Sequence, residues 1–366
     1  MRLHRLLTLM VVVELLAGSL MISRHSGPPR RRHDSHARLA AGSASGHPGP
    51  PVKVAPSLPA TSSTTIYHGG KEPAASGSTT AALPARASSA GRGGSSGLPD
   101  SLWGVTLDDV SNTASIVSSL DAFPSRPMAR VVFDENQHPA DYTDAVQRLH
   151  PHAYLMGELL DSQYVSRYSV DAYARRAAEF VGSLGSQVDL WEVGNEVNGE
   201  WLGPTSRTVA KIVAAYDRVS SSGQRTALTL YYNPDCWSNP ANEMFRWAST
   251  NLPARIKSGL DYVFISYYPE DCNNYWPSQA TWQSVFDQLH QMFPAARLGF
   301  GESGNSNDQD PVSQKITLLH RYYRLTINGD GYVGGYFWWY YVEDALPYLN
   351  NPLWHALATD ATAHTG

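Results

Sequence analysis

Asp189-Leu190-Trp191-Glu192-Val193-Gly194-Asn195-Glu196-Val197-Asn198-Gly199-Glu200-Trp201 starts as an apolar run and turns polar at an amide placed beside a carboxyl. The front half has the character of a buried strand, which delivers Asn195 and Glu196 side by side to its C-terminal end. A second delivery comes at Leu298-Gly299-Phe300-Gly301-Glu302-Ser303-Gly304. Glu196 and Glu302 stand 106 residues apart in the chain. If both strands belong to one closed parallel barrel, both carboxyls point into the same mouth.

Working outward, short apolar or alternating runs recur eight times, at 101–109, 128–135, 152–161, 187–197, 225–233, 260–269, 296–304 and 332–341. Helical patterns lie between them. Residues 206–222 carry Val209, Ile212, Val213, Tyr216 and Val219 on one face, with Gly223 as a stop. Residues 311–328 open on a proline, carry Ile316, Leu319 and Tyr323 on one stripe and stop at Gly329. Residues 171–184 and 281–293 look similar. Strand and helix alternating eight times predict an α/β fold with a parallel sheet closed into a (β/α)8 TIM barrel over 98–366. An open doubly wound sheet lacks support, because no Gly-rich phosphate loop opens any helix. In such barrels chemistry sits at the strand C-termini. There the sequence stacks Arg130 with Asp134 and Glu135, Glu158 with Asp161, Asn195 with Glu196, Asn233 with Asp235, Tyr267 with Tyr268, then Glu302, then Trp338 with Trp339.

Composition divides the chain. Residues 1–97 carry 11 Lys and Arg against 3 Asp and Glu, and Tyr67 is their one aromatic. Residues 98–366 carry 17 against 30, so the whole-chain net of −5 is a difference between opposite halves. The acidic part argues against a nucleic-acid partner, which calls for a basic face. Arg2 and Arg5 before the apolar run 6–22, with Ala17-Gly18-Ser19 near its end, predict a signal peptide over 1–24. An uncleaved membrane anchor is the alternative, and the only route to a membrane; Glu14 inside the run counts against it. A cytoplasmic protein with an unusual start is the third reading. Residues 25–97, rich in Ser, Pro, Gly and Ala, predict a disordered linker. A secreted or extracytoplasmic monomer is expected.

Two carboxyls facing each other across a bond are the minimum equipment for hydrolysing a glycoside. Asn195-Glu196 after the fourth run, with Glu302 ending the seventh, resembles clan A of the retaining glycoside hydrolases. Ser266-Tyr267-Tyr268-Pro269 and Asn195-Glu196-Val197-Asn198-Gly199 look loosely like its endo-β-1,4-galactanase branch. The resemblance runs over nearly all of 98–366 by order of elements, and by residues over these short motifs. It implies a carbohydrate substrate with β linkages, no cofactor, Glu196 as acid/base and Glu302 as nucleophile. It also implies Asn195 donating to the sugar 2-hydroxyl, Arg130 beside the nucleophile, and Trp338 as a floor under the reacting sugar with Trp339 as the other choice. Tyr268, on the face of Ser266, would hold Glu302 while Tyr267 points away. A one-residue register difference exchanges the two tyrosines. For Arg130 the alternative is a structural ion pair with Asp134 or Glu135.

Trp201, with Trp103, Trp237, Trp276 and Trp282, would line further subsites, although core or rim packing is the plainer reading of each. Cys236 and Cys272 follow runs five and six, neighbours in a barrel, and form a candidate disulfide between two active-site loops. No HExxH or Cys/His cluster predicts a metal site, and no Gly-x-Ser-x-Gly elbow predicts serine esterase chemistry. The competing readings are a catalytically silent barrel that binds glycan and a metal-dependent barrel enzyme.

Overall fold

A computed structural model describes residues 97–362 except 308. The expected signal or anchor at 1–24 and the linker, save its last residue, lie outside the described residues. In chain order the elements are β1 (Leu102–Leu107), α1 (Thr113–Asp121), β2 (Met128–Val132), α2 (Pro139–Leu149), β3 (Tyr154–Glu158), α3 (Ser162–Val165), α4 (Val170–Leu184) and β4 (Leu190–Glu192). There follow α5 (Thr205–Ser221), β5 (Thr226–Tyr231), α6 (Met244–Asn251), α7 (Ala254–Lys257), β6 (Tyr262–Tyr267), α8 (Gln279–Met292), β7 (Arg297–Ser303), α9 (Val312–Tyr323), β8 (Tyr332–Trp338), α10 (Tyr341–Ala345) and α11 (Pro352–Ala361). The eight strands pair in parallel and in sequence order, and β8 closes on β1. The expected (β/α)8 barrel is the fold.

Both faces of these strands are covered, which is why their sequences read as near-continuous apolar runs. Side chains alternate across each strand. Outward-facing Val131, Leu155, Trp191, Ile265 and Phe300 pack in the shell beneath the helices. Inward, Met128, Met156, Leu190, Ala227, Phe264 and Phe337 fill the barrel core. One residue pair further up the same interior, the lining changes character to Arg130, Glu158, Glu192, Thr229 and Ser266, all fully buried. The helices follow the 3.6-residue period. In α4, Tyr173, Arg176, Ala177, Phe180, Val181 and Leu184 form the buried stripe, and the Ser169 hydroxyl accepts from the Ala172 N–H at its start.

Three elements depart from expectation. The helix expected over 311–328 ends at Tyr323. The backbone beyond it is satisfied from α8 instead: Gln283 accepts from the Asn328 N–H at 2.9 Å and donates to the Asn328 carbonyl at 2.7 Å. Run four is a strand only over Leu190–Glu192, so Asn195 and Glu196 lie beyond it. In β8, Gly334, Gly335, Tyr336 and Phe337 all have positive φ, at 90°, 93°, 77° and 33°. A Cβ on Gly335 would sit 2.2 Å from the Phe300 carbonyl oxygen, so glycine permits this close approach.

Candidate active site

Two irregularities bring the carboxyls into the mouth. Along β4 and β5, Trp191 N–H donates to Arg225 O and Val193 N–H to Ala227 O, but the next donor to Thr229 O is Val197. Two residues have been inserted into the ladder, and Glu196 takes φ +48°. Along β6 and β7, Ile265 pairs with Phe300, then Ser266 with Glu302. Gly301 is the extra residue. Such bulges re-aim side chains next to active sites. Without this one, strict alternation would put Glu302 on the same outward face as Phe300.

Glu302 is held from two sides. Arg130 Nη1 donates to its Oε2 at 2.9 Å, and the Tyr268 hydroxyl to its Oε1 at 2.8 Å. The same guanidinium donates to Glu192 through Nε at 2.7 Å and Nη2 at 3.2 Å, and its Nη2 lies 3.1 Å from Glu158. Burial alone would push the Arg130 guanidinium down; Glu158, Glu192 and Glu302 hold it well above its usual value. One cation therefore faces three carboxyls. Burial, then the charges of Glu192, Asp161 and Glu302, push Glu158 well above the usual carboxylate range against the pull of Arg130. A neutral Glu158 leaves Arg130 with two anions to balance, and Thr229 Oγ donates to one of them, Glu192. Burial and the neighbouring Glu302 raise the Tyr268 phenol well above its usual value, so it remains a hydrogen-bond donor.

Glu196 has a different setting. Ser162 Oγ donates to its Oε2 at 2.9 Å and Ser266 Oγ to its Oε1 at 2.7 Å. Glu196 and Glu302 are only 1% and 2% exposed. Ser266 and Tyr268 share one strand face, so the two carboxyls are gripped by side chains whose Cα atoms stand about 7 Å apart.

Arg130, Tyr268, Glu196 and Glu302 come together. The alternative ion pair of Arg130 does not form: Asp134 accepts from the Tyr142 hydroxyl, and Glu135 pairs with Arg167. Asn195 is buried beside Glu196, and its Oδ1 has no hydrogen-bond partner. Tyr267 is excluded as a substrate contact. It is fully buried, packs on Trp282 at 5.3 Å and donates to the Tyr275 carbonyl at 2.6 Å. Trp338 is also displaced from its expected place as the sugar floor. It lies in the large core and its Nε1 donates to Asp344 at 3.1 Å. Trp339 instead clusters with Val132 and Tyr268, and the Arg130 guanidinium stands 5.2 Å from its ring centre. The positive-φ residues of β8 interrupt the strand alternation just before the two tryptophans. Trp201 reaches Glu196 through Ser162: its Nε1 donates to Ser162 Oγ at 3.0 Å.

Glu192, Thr229 and Ser162 were missed. Glu192 carried a signal, a charge inside the apolar run Leu190–Val193. Thr229 and Ser162 carried none, since short hydroxyl residues are common at such positions. Asn198, part of the family-like motif, is structural: it exchanges two hydrogen bonds with the Tyr231 backbone, at 2.8 and 2.9 Å, and ties the loop to β5. Cys236 and Cys272 form the expected disulfide, with Cα atoms 5.0 Å apart. Among the described residues no group of His, Cys, Asp and Glu is arranged to hold a metal ion, and no helix is long and apolar enough to cross a membrane.

No protein-family model matches the chain, and neither does any curated protein. Among solved structures it is similar to a family 1 β-glucosidase from Thermotoga maritima, at 10% identity and TM-score 0.46, over 62% of this chain and 76% of that one. A xylanase mutant from Cellvibrio japonicus matches at 13% identity and TM-score 0.46, over 72% and 97% of the two chains. A family 18 chitinase from Pseudoalteromonas aurantia matches at 12% and 0.44, over 71% and 100%. The barrel assignment stands on the chain's own closed set of strand pairings.

Proposed function

We propose that the protein is a retaining glycoside hydrolase acting on β-linked oligo- or polysaccharide, with Glu302 as nucleophile and Glu196 as acid/base. The observation that carries this reading is the unequal treatment of two carboxyls gripped by one strand end. Glu302 contacts a guanidinium and a phenol, Arg130 and Tyr268, which favour its ionised form. Glu196 meets two neutral hydroxyls, and that of Ser266 can donate to a carboxylate or accept from an acid. A fixed anion beside a group free to cycle its proton is the division of labour that double displacement requires.

In the first step a Glu302 oxygen attacks the anomeric carbon while Glu196 gives its proton to the departing oxygen. The bond to the leaving group breaks as the glycosyl ester forms. In the second step Glu196 takes a proton from water, whose oxygen displaces Glu302 from the same carbon. Asn195 is assigned to the sugar 2-hydroxyl, whose O–H would donate to the unsatisfied, buried Oδ1. Trp339, at the mouth, is assigned as the floor under the sugar ring, where C–H groups pack on an aromatic face. The disulfide suits an oxidising compartment, in keeping with a secreted protein.

The test is incubation with a panel of aryl β-glycosides and with β-glucan, mannan and galactan, following the product anomer by proton NMR. Retention with loss of turnover in Glu302→Ala supports the assignment. Inversion overturns the double displacement. Inertness toward the whole panel with glycan binding retained supports the silent barrel.

A further inference from the structure

Ser162 opens α3, the short helix that follows β3. Its place is fixed at both ends: Asp161 Oδ1 accepts from the Gln163 N–H at 2.8 Å, and the Lys211 ammonium on α5 donates to the Val165 carbonyl at 2.6 Å. Ser162 is 1% exposed, and its hydroxyl meets two groups, the Trp201 indole N–H at 3.0 Å and Glu196 Oε2 at 2.9 Å. An indole N–H only donates, whereas a hydroxyl has one hydrogen and two lone pairs. The Ser162 oxygen therefore accepts from Trp201, and its single hydrogen is left for Glu196. Were Oε2 to carry the carboxyl proton, Ser162 would have to accept twice and strand its own hydrogen in a buried site, which costs free energy. No such restriction applies on the other side. No N–H or O–H donor is directed at Ser266 Oγ among the described contacts, so Ser266 can donate to Oε1 or accept from it.

We propose that Ser162, with its hydroxyl direction set by Trp201, is a positioning residue for Glu196: the two reserve Oε2 as an acceptor and leave Oε1, beside Ser266, to carry the proton that is transferred. The proposal rests on Glu196 as the acid/base of a glycoside hydrolase, but the relay itself can be measured without a substrate. Tyr231 on β5 and Tyr268 after β6 lie within electrostatic reach of Glu196, and both are raised chiefly by burial, so they stay neutral while a carboxyl titrates. Asp161 precedes Ser162 at the start of α3, and Glu302 is the ladder partner of Ser266.

The experiment is a carbon-13 NMR titration of protein labelled at the glutamate side-chain carboxyls, with the Glu196 signal assigned by its loss in Glu196→Gln. Ser162→Ala removes a donor to the ionised form and is expected to move the Glu196 midpoint upward by about one pH unit. Trp201→Phe, which keeps a ring against Tyr231, moves it in the same direction by less. Combined with Ser162→Ala, Trp201→Phe adds nothing; combined with Ser266→Ala, it adds its full shift. A midpoint unmoved by Ser162→Ala, or a Trp201→Phe shift that persists without the Ser162 hydroxyl, overturns the relay. With aryl β-glycosides, Ser162→Ala is expected to lose about tenfold more kcat/KM on poor leaving groups, which need the acid, than on dinitrophenyl glycosides, which do not. Equal losses across leaving groups also overturn it. If the unaltered protein hydrolyses none of them, the hydrolase reading fails while the titration still decides the relay.

Discussion

Ser266 faces Glu302 across the β6–β7 ladder only because Gly301 has been inserted between Phe300 and Glu302. The insertion needs a glycine. A Cβ on Gly301 would lie 2.6 Å from the Phe264 Cβ and 2.8 Å from the Thr229 hydroxyl, both fixed inside the barrel. Gly301→Ala is therefore expected to force β7 away from its neighbours, at a cost of roughly 1–3 kcal/mol. Glu302 moves with it, so hydrolysis should fall far more than the thermal midpoint. A variant with unchanged activity would show that the bulge is not what aims Glu302.

Arg130 pairs with Glu302, Glu192 and Glu158 at once. Removing one partner from a buried ion pair leaves an uncompensated charge, so Arg130→Met is expected to destabilise by roughly 3–5 kcal/mol. Adding Glu192→Gln removes one stranded anion and should recover part of that loss. Arg130→Lys keeps the charge but cannot span three carboxyls with one planar fork, and should fall between the two. Guanidinium chloride unfolding of the three variants checks the order. Additive effects of Arg130→Met and Glu192→Gln would contradict the shared network.

The division of labour between sequence and structure is visible in these same residues. The apolar runs and the 3.6 period located every strand and the four longest helices, α4, α5, α8 and α9, because burial on both strand faces and one helix face leaves a direct trace. Asn195-Glu196, Glu302, Arg130 and Tyr268 were legible as chemistry-bearing residues at strand ends. What was not legible was parity. Bulges at 194–196 and at Gly301, and four consecutive positive-φ residues in β8, decide which side chain turns inward, and they arise from long-range ladder pairing. The relay through Ser162 was hidden for another reason: a serine in a loop acquires meaning only from a partner on a distant element. The end of α9 at Tyr323 was set by glutamines of α8, again a contact without a local signature.

Glu158 should make the fold sensitive to pH. Its folded titration lies above the ordinary glutamate value near 4.3, because burial and then its acidic neighbours oppose ionisation. The folded state thus holds a proton that the unfolded chain releases. The resulting stability is present in full below about pH 4.3 and is lost as the pH rises toward the folded titration, by up to about 1.4 kcal/mol per pH unit. Glu158→Gln removes the titrating group while keeping the shape. It is expected to unfold at higher denaturant than the parent at pH 8, with the advantage shrinking at pH 5. Parallel stability–pH curves for the two proteins would show that Glu158 is not the group responsible.

The Cys236–Cys272 bond closes a stretch with sequence separation 36. In the chain-entropy account a loop of that size contributes about 3–4 kcal/mol. Cys236→Ser with Cys272→Ser is expected to lose stability of that order, measured by thermal unfolding under non-reducing conditions. Turnover by the surviving folded fraction should change little, because Ser266 and Arg130 lie on β6 and β2 and Tyr268 directly follows β6, each held by the barrel ladder or by Glu302 rather than by the disulfide.

The two adjacent tryptophans of β8 should separate cleanly. Trp338 is fully buried, its indole N–H donates to Asp344, and its backbone N–H donates to the Tyr323 hydroxyl at 2.9 Å. Trp338→Ala therefore opens a cavity in the large core and is expected to cost about 3–5 kcal/mol. Trp339, 2% exposed, sits instead in a small separate cluster with Val132 and Tyr268, with Arg130 over its ring. Trp339→Ala should cost less stability but raise KM for oligosaccharides, because it removes the surface assigned to the sugar ring. Trp339→Phe, which keeps a smaller ring, should recover part of the affinity. If Trp338→Ala weakens substrate binding while leaving the unfolding midpoint in place, and Trp339→Ala does the reverse, the floor has been assigned to the wrong indole.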